Sequence, residues 1–403
     1  MTTMPQMPQR LAHLLKARNQ AAQWESFIAS MLTKLELSEE ELALATKHYQ
    51  QLATHIARKL GVGENDVHVI VQGSMRTQTT ISPRGRQNFD LDIVVKLTGP
   101  RFENLQESEA FFAEFGEALH GVADAGDPEP KRRCWRLNYP NLPFYFDVTP
   151  AVPDNRLITG TKIRVRDPDT VWSPSNPQDF ADWFCNIAGL RFPFQRVQRH
   201  LTMDATTQVD PVPNSPVRLD DILRRTVQLV KLHRDNYYWE LAPQRKELAP
   251  ISVILVTLLA SAYLRLAQTR PNDFSSAIEV ALELVEQIPG GLLPQGAAIC
   301  VPNPRHPAEN FADRWNKDGG KRAAEFRTWY TALQRDLEGL FSEDYDKKTE
   351  LRIRNVFGQI GADAWKKSLG THTPLQGLLA SLPATKRSNP SSPLPAGSRN
   401  TLG

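Results

Sequence analysis

In Phe89-Asp90-Leu91-Asp92-Ile93-Val94-Val95-Lys96-Leu97, the apolar residues Leu91, Ile93, Val95 and Leu97 fall on one side, with Asp90 and Asp92 on the other. Such period-two alternation marks a half-buried β-strand. Residues i and i+2 of a strand share a face and lie ~7 Å apart. Two carboxylates so placed can hold a pair of divalent cations spaced ~4 Å apart, the arrangement that clamps attacking and leaving oxygens in phosphoryl-type transfer.

The flanking segments supply neighbours for this strand. Upstream, Asp66-Val67-His68-Val69-Ile70-Val71-Gln72 alternates in the same way and runs into Gly73-Ser74-Met75-Arg76-Thr77. A strand, a Gly-Ser turn and a segment able to start a helix bring backbone N–H groups and a hydroxyl to one place, which suits a polyphosphate. Downstream, Pro143-Phe144-Tyr145-Phe146-Asp147-Val148-Thr149 alternates again and leaves Asp147 on the face opposite Phe144, Phe146 and Val148. A third carboxylate on an adjacent strand would complete a two-metal site. Taken singly, a D-x-D pair is usually a solvated strand face, and Gly-Ser is usually a plain turn. The combination points to metal-dependent nucleotide chemistry.

Together, Gly73-Ser74, Asp90-x-Asp92 and Asp147 resemble the core of the DNA polymerase β-like nucleotidyltransferases. Within that superfamily the wider pattern resembles the bacterial cyclic GMP-AMP synthase-like (DncV-like, CD-NTase) enzymes. The segments Val71–Thr79, Phe146–Pro153 and Glu309-Asn310-Phe311-Ala312-Asp313-Arg314-Trp315 carry this second likeness. The resemblance implies an α+β fold: a mixed-sheet nucleotidyltransferase lobe with a long N-terminal helix, followed by a helical lobe. It implies two Mg2+ ions, with Mn2+ as an alternative, held by Asp90, Asp92 and Asp147. Gln72, Gly73, Ser74, Lys231 and Ser252 are then expected at the donor triphosphate, with Lys231 and Ser252 the matching 21 residues apart. The implied activity joins ATP- or GTP-type nucleoside triphosphates into a cyclic di- or trinucleotide second messenger for antiphage (CBASS) signalling, releasing pyrophosphate. One departure matters. Animal cyclic GMP-AMP synthase has a base-stacking aromatic after the serine, whereas Val253 follows here, so stacking must come from elsewhere. Some relatives are also joined through their C-terminal residue to other proteins by ubiquitin-like conjugation, which makes Gly403 a conjugation candidate.

The chain has 403 residues and a net charge of +3, from 48 Lys and Arg against 45 Asp and Glu. That balance does not favour a stable nucleic-acid partner. Cys134, Cys185 and Cys300 are the three cysteines, far apart and without metal-ligand spacing. A reducing cytoplasm is the expected compartment. No signal peptide is read at the N-terminus. The apolar run Ala249–Leu264 is shorter than the ~20 residues of a membrane span, so no membrane partner is expected.

Ser38-x-x-Glu41 reads as a capping box with Leu37 and Leu42 as its hydrophobic staple. Apolar steps of three or four then continue to Leu60, where Gly61 stops the helix. Residues 1–175 are read as the catalytic lobe with this N-terminal helix, 176–383 as a helical lobe, and 384–403 as a disordered Ser/Pro-rich tail. His233-Arg234-Asp235-Asn236 imitates a kinase catalytic loop but lacks its companions, so it reads as the end of a helix. Two rival functions stay open: an RNA- or tRNA-tailing nucleotidyltransferase, and a non-catalytic nucleotide-binding, antitoxin-like module.

Overall fold

The computed structural model describes residues 10–17, 20–82, 88–154, 160–194, 221–295, 298–342 and 348–370. The tail from Ala384, and with it Gly403, lies outside them.

The strands of the main sheet are β1 (Val67–Val71), β2 (Phe89–Leu97), β3 (Glu129–Pro130), β4 (Trp135–Asn138), β5 (Phe144–Pro153), β6 (Ile163–Asp167) and β7 (Val171–Ser175). They form one mixed sheet in the order β1-β2-β5-β4-β3, with β6 and β7 added beyond β5. β2 and β5 run parallel; β1–β2, β4–β5 and β5–β6 are antiparallel. A parallel pair needs a crossover, and the segment between these two strands includes the helix Ser108–Ala118. β5 is long enough to pair β4 along Tyr145–Val148 and β6 along Ala151–Pro153.

The helices in chain order are α1 (Arg10–Ala17), α2 (Ala21–Thr33), α3 (Glu39–Leu60), α4 (Gly73–Thr77), α5 (Ser108–Ala118) and α6 (Pro177–Ala188). After them come α7 (Ile222–Trp239), α8 (Pro243–Lys246), α9 (Ser252–Thr269), α10 (Ala277–Gln287), α11 (Lys321–Phe341) and α12 (Thr349–Gly370). The expected capping box opens α3: Glu41 N–H donates to Ser38 Oγ at 3.2 Å, and Ser38 N–H donates to Glu41 Oε2 at 2.8 Å. Gly61 closes the helix in the left-handed region at φ 65°.

Two main cores result. Leu91, Ile93, Val95 and Leu97 of β2 are buried with Phe144, Phe146 and Val148 of β5 under α3 and α5. This is the apolar side read from the alternation. The second core is helical and gathers α6, α7, α9, α10, α11 and α12. It also takes α1 and α2, although the sequence reading assigns the chain up to residue 175 to the sheet lobe. On α2, Trp24, Phe27, Ile28, Met31 and Leu32 fall at the i, i+3, i+4, i+7 and i+8 spacing of one helix face. That face packs on the far end of the chain, with Trp24 stacked on Trp365 at 5.7 Å between ring centres. From α1 the chain therefore runs through the helical core, crosses to the sheet through α3, and returns. α9 is apolar enough by length and composition to cross a membrane, and Ile254, Leu255, Leu258, Leu259 and Tyr263 on it are buried in the helical core.

Candidate active site

Strand register assembles the acidic group. The parallel pairing sets Asp92 opposite Asp147, and Asp90 opposite Tyr145. Asp90, Asp92 and Asp147 each offer a carboxylate oxygen within 4.8 Å of the other two. Gly73 fits against them because it lacks a side chain. It stands at φ +62°, and a β-carbon there would collide with the Asp92 carboxylate. The turn and β2 are also joined by a backbone bond from Gln72 N–H to Asp92 O at 3.0 Å.

Arg136 was not foreseen from the sequence. The β4–β5 register puts it opposite Asp147, and its fork donates from Nε to Oδ1 at 2.8 Å and from Nη2 to Oδ2 at 2.7 Å. Its guanidinium also lies 3.9 Å from the centre of the Tyr145 ring, and Tyr145 hydrogen-bonds to Asp90. An arginine on Asp147 tests the metal reading directly, since a sealed carboxylate could not take an ion. Two features leave room. A carboxylate has about four lone-pair sites, and a bidentate fork uses two. A cavity of about 300 Å3 also opens over Asp90 and Asp92. Three hard oxygen donors at this spacing fit a divalent cation such as Mg2+ or Mn2+.

The electrostatics record how crowded the acids are. Burial, then repulsion from Asp90 and Asp147, pushes the Asp92 carboxyl up to about 8. Burial, then Asp147, pushes Asp90 up to about 6. Solvent in the cleft reaches Asp90, but protein encloses it on most sides. Lys231, buried in the helical lobe, is brought down to about 8 by burial and then by the charge of Arg234.

α7 grips the segment after the Gly-Ser turn. Arg224 Nε donates to Thr77 O at 2.8 Å, Gln228 Nε2 to Thr80 O at 3.4 Å, and Lys231 Nζ to Thr79 O at 2.8 Å. These three lie along one helix face at i, i+4 and i+7. Thr80 Oγ1 in turn donates to Ser74 Oγ at 3.2 Å. Lys231, expected at phosphate, thus already spends one of its three N–H donors on the loop beneath the site. Gln228 and Arg225 are tied back to Glu36, between α2 and α3, at 2.8 and 2.7 Å.

Between the cores runs a cleft of about 850 Å3, bordered by Gln72, Gly73, Asp90 and Asp92 on the sheet side and by Arg234, Asp235 and Ser252 on the helical side. Arg234 Nη1 donates to Ser252 Oγ at 2.9 Å and to Pro250 O at 3.1 Å. The His233–Asn236 segment does sit at the end of α7, as read, yet it also supplies the cleft with Arg234. Its position three residues after Lys231, on the same helix face, was the available signal. Gln72, Gly73, Ser74, Lys231 and Ser252 all border this cleft or the adjoining cavity.

Residues 23–187 match the family described as Second Messenger Oligonucleotide or Dinucleotide Synthetase domain (SMODS). A c-di-GMP synthase from Roseivirga ehrenbergii is 28% identical over 353 residues, covering 86% of this chain and 87% of its own. The cyclic dinucleotide synthase CdnG of Bradyrhizobium diazoefficiens is 25% identical over 355 residues, covering 83% and 80%. The structure of that CdnG in complex with GTP superposes with a TM-score of 0.63 at 21% identity, over 85% of this chain and 98% of the other, which shows a shared fold. Together these matches support the reading of the chain as a bacterial DncV-like (CD-NTase) nucleotidyltransferase.

Proposed function

We propose that the protein joins nucleoside triphosphates into a cyclic dinucleotide or trinucleotide, releasing pyrophosphate, and that the product is a second messenger of the kind used in antiphage signalling. The observation that carries this reading is the convergence of three carboxylates against a glycine turn at the floor of a cleft large enough for nucleotides. The names of the relatives support the class of product.

In this reading Asp90, Asp92 and Asp147 hold a pair of Mg2+ or Mn2+ ions. Such a pair, when bound, neutralises the triphosphate and steadies the attacking and leaving oxygens. The chain does the rest. Arg136 fixes the orientation of Asp147, which accepts the proton of the attacking ribose hydroxyl. Ser74 and Ser252 offer hydroxyls to the phosphates, and Lys231 and Arg234 offer positive charge. The hydroxyl attacks the α-phosphate, the bond to pyrophosphate breaks, and a second round closes the ring.

Purified protein incubated with labelled GTP and ATP and a divalent salt, then treated with phosphatase, tests the proposal. A small phosphatase-resistant product is expected, absent from a D90A/D92A double variant that still folds. A long polymer would instead identify a tailing enzyme. Equal turnover by the double variant would remove the acids from the chemistry.

A further inference from the structure

Among the described residues, four large apolar side chains stand exposed: Val171, Trp239, Ile251 and Leu351. Two of the four, Trp239 at 38% and Ile251 at 46%, border the same cleft that Asp90 and Asp92 border. They flank the connection that runs from the end of α7 to the start of α9. Ser252, the next residue after Ile251, is held by Arg234. The cleft therefore combines charged groups with an indole and a branched alkyl group left exposed to water. Exposed apolar side chains lining a cleft offer a surface for the apolar part of a ligand. A ligand with phosphates at one end and a flat aromatic ring at the other matches both.

Lys246 sharpens the match. It borders the cleft, and its Nζ lies over the Trp239 ring, 5.6 Å from the ring centre. An ammonium offers three donors and no acceptor. Guanine presents two acceptors, O6 and N7, on one edge, where adenine pairs the N7 acceptor with an N6 donor. A lysine whose ammonium reaches the O6/N7 edge of a purine stacked at Trp239 therefore favours guanine.

We infer that Trp239 is the platform on which the purine of a bound nucleoside triphosphate stacks, and that Lys246 beside it selects guanine. The inference rests on the nucleotidyltransferase reading above. It answers the question that Val253 raises, because the stacking surface comes from the end of α7 instead of the residue after Ser252. Ile251 borders the same cleft.

Binding of α,β-methylene GTP, α,β-methylene ATP and inorganic tripolyphosphate in the presence of Mg2+ tests it on the whole chain. Trp239→Ala is expected to weaken the GTP analogue by about tenfold to a hundredfold, the usual worth of one base–aromatic stack. Trp239→Phe should restore most of that loss, and tripolyphosphate should bind all three proteins alike. Lys246→Ala should shift the GTP-to-ATP preference about tenfold toward ATP. Wild-type affinity for the GTP analogue in Trp239→Ala would overturn the platform, as would an equal loss of tripolyphosphate. An unchanged base preference in Lys246→Ala would overturn the guanine assignment. If the wild type bound neither analogue but still bound tripolyphosphate, the nucleotide reading itself would fall.

Discussion

Asp92 is the side chain on which the site's electrostatics turn. It is held against Gly73, faces Asp147 across the strands, and gives up its proton only near pH 8 because it is buried among other acids. A carboxyl whose folded pKa lies above its unfolded value keeps its proton in the folded chain after the unfolded chain has lost it. Its contribution to stability is thus present at low pH and is lost as pH rises from the ordinary carboxylate value of 3.8 to about 8. In chelator, the melting temperature of the wild type should fall relative to that of Asp92→Asn across this window. Adding Mn2+ should raise the wild-type value, by more at the alkaline end, where no proton competes. A constant difference between the two proteins, with or without Mn2+, would contradict this. Arg136 gives a second test at the same scale. Arg136→Ala leaves Asp147 without its fork in a partly enclosed place, and we expect a loss of about 2 kcal/mol in the metal-free protein. Mn2+ should bind tighter to the variant, since a positive charge has left the site, while turnover falls as Asp147 loses its fixed orientation. Unaltered denaturant midpoints together with unaltered turnover would show that the pair does neither job. The acids themselves were legible because period-two alternation is local. Arg136 was not, because its partner is set by which strands pair and in what register.

Among the elements, α7 does the most to join the lobes. Its side chains hold the segment behind Ser74 at three carbonyls and reach Glu36 at the entry to α3. Gln228 is fully buried, so its amide serves Thr80 and Glu36 in a setting where unmet hydrogen bonds are costly. Gln228→Leu is expected to lower stability by about 2 kcal/mol. It should also raise the KM for nucleoside triphosphate several-fold while changing kcat less, because it loosens the phosphate-side loop and not the acids. Steady-state kinetics alongside urea unfolding check this; a lower kcat at constant KM would place the effect on the chemistry instead. The strong periodic elements, β2 and α3 above all, declare themselves in sequence because their signals lie within one turn or one strand. α1, α2 and α12 do not, since their buried faces are defined by helices distant in sequence: α1 packs on α10 and α11, and α2 on α12 and α10. Trp24 meets Trp365 and Phe341, contacts over more than 300 residues of sequence that no local window contains.

For the molecule as a whole, the cleft exists because the chain builds one core from the sheet with α3 and α5 and a second from α1 and α2 together with the helices that follow β7. Ligand spanning both sides should couple the two cores. GTP with Mg2+ at a hundred times its dissociation constant is expected to stabilise the fold by about 2.7 kcal/mol, raising the melting temperature of both lobes together. A shift seen by sheet-lobe probes alone would mean that the nucleotide does not bridge. The most direct test is anomalous scattering from crystals grown with Mn2+ and α,β-methylene GTP. The account predicts manganese peaks among the carboxylate oxygens of Asp90, Asp92 and Asp147, at about 2.1 Å, with the triphosphate against Ser74. Manganese bound elsewhere, with Arg136 and the three acids closed upon themselves and no ion between them, would contradict it.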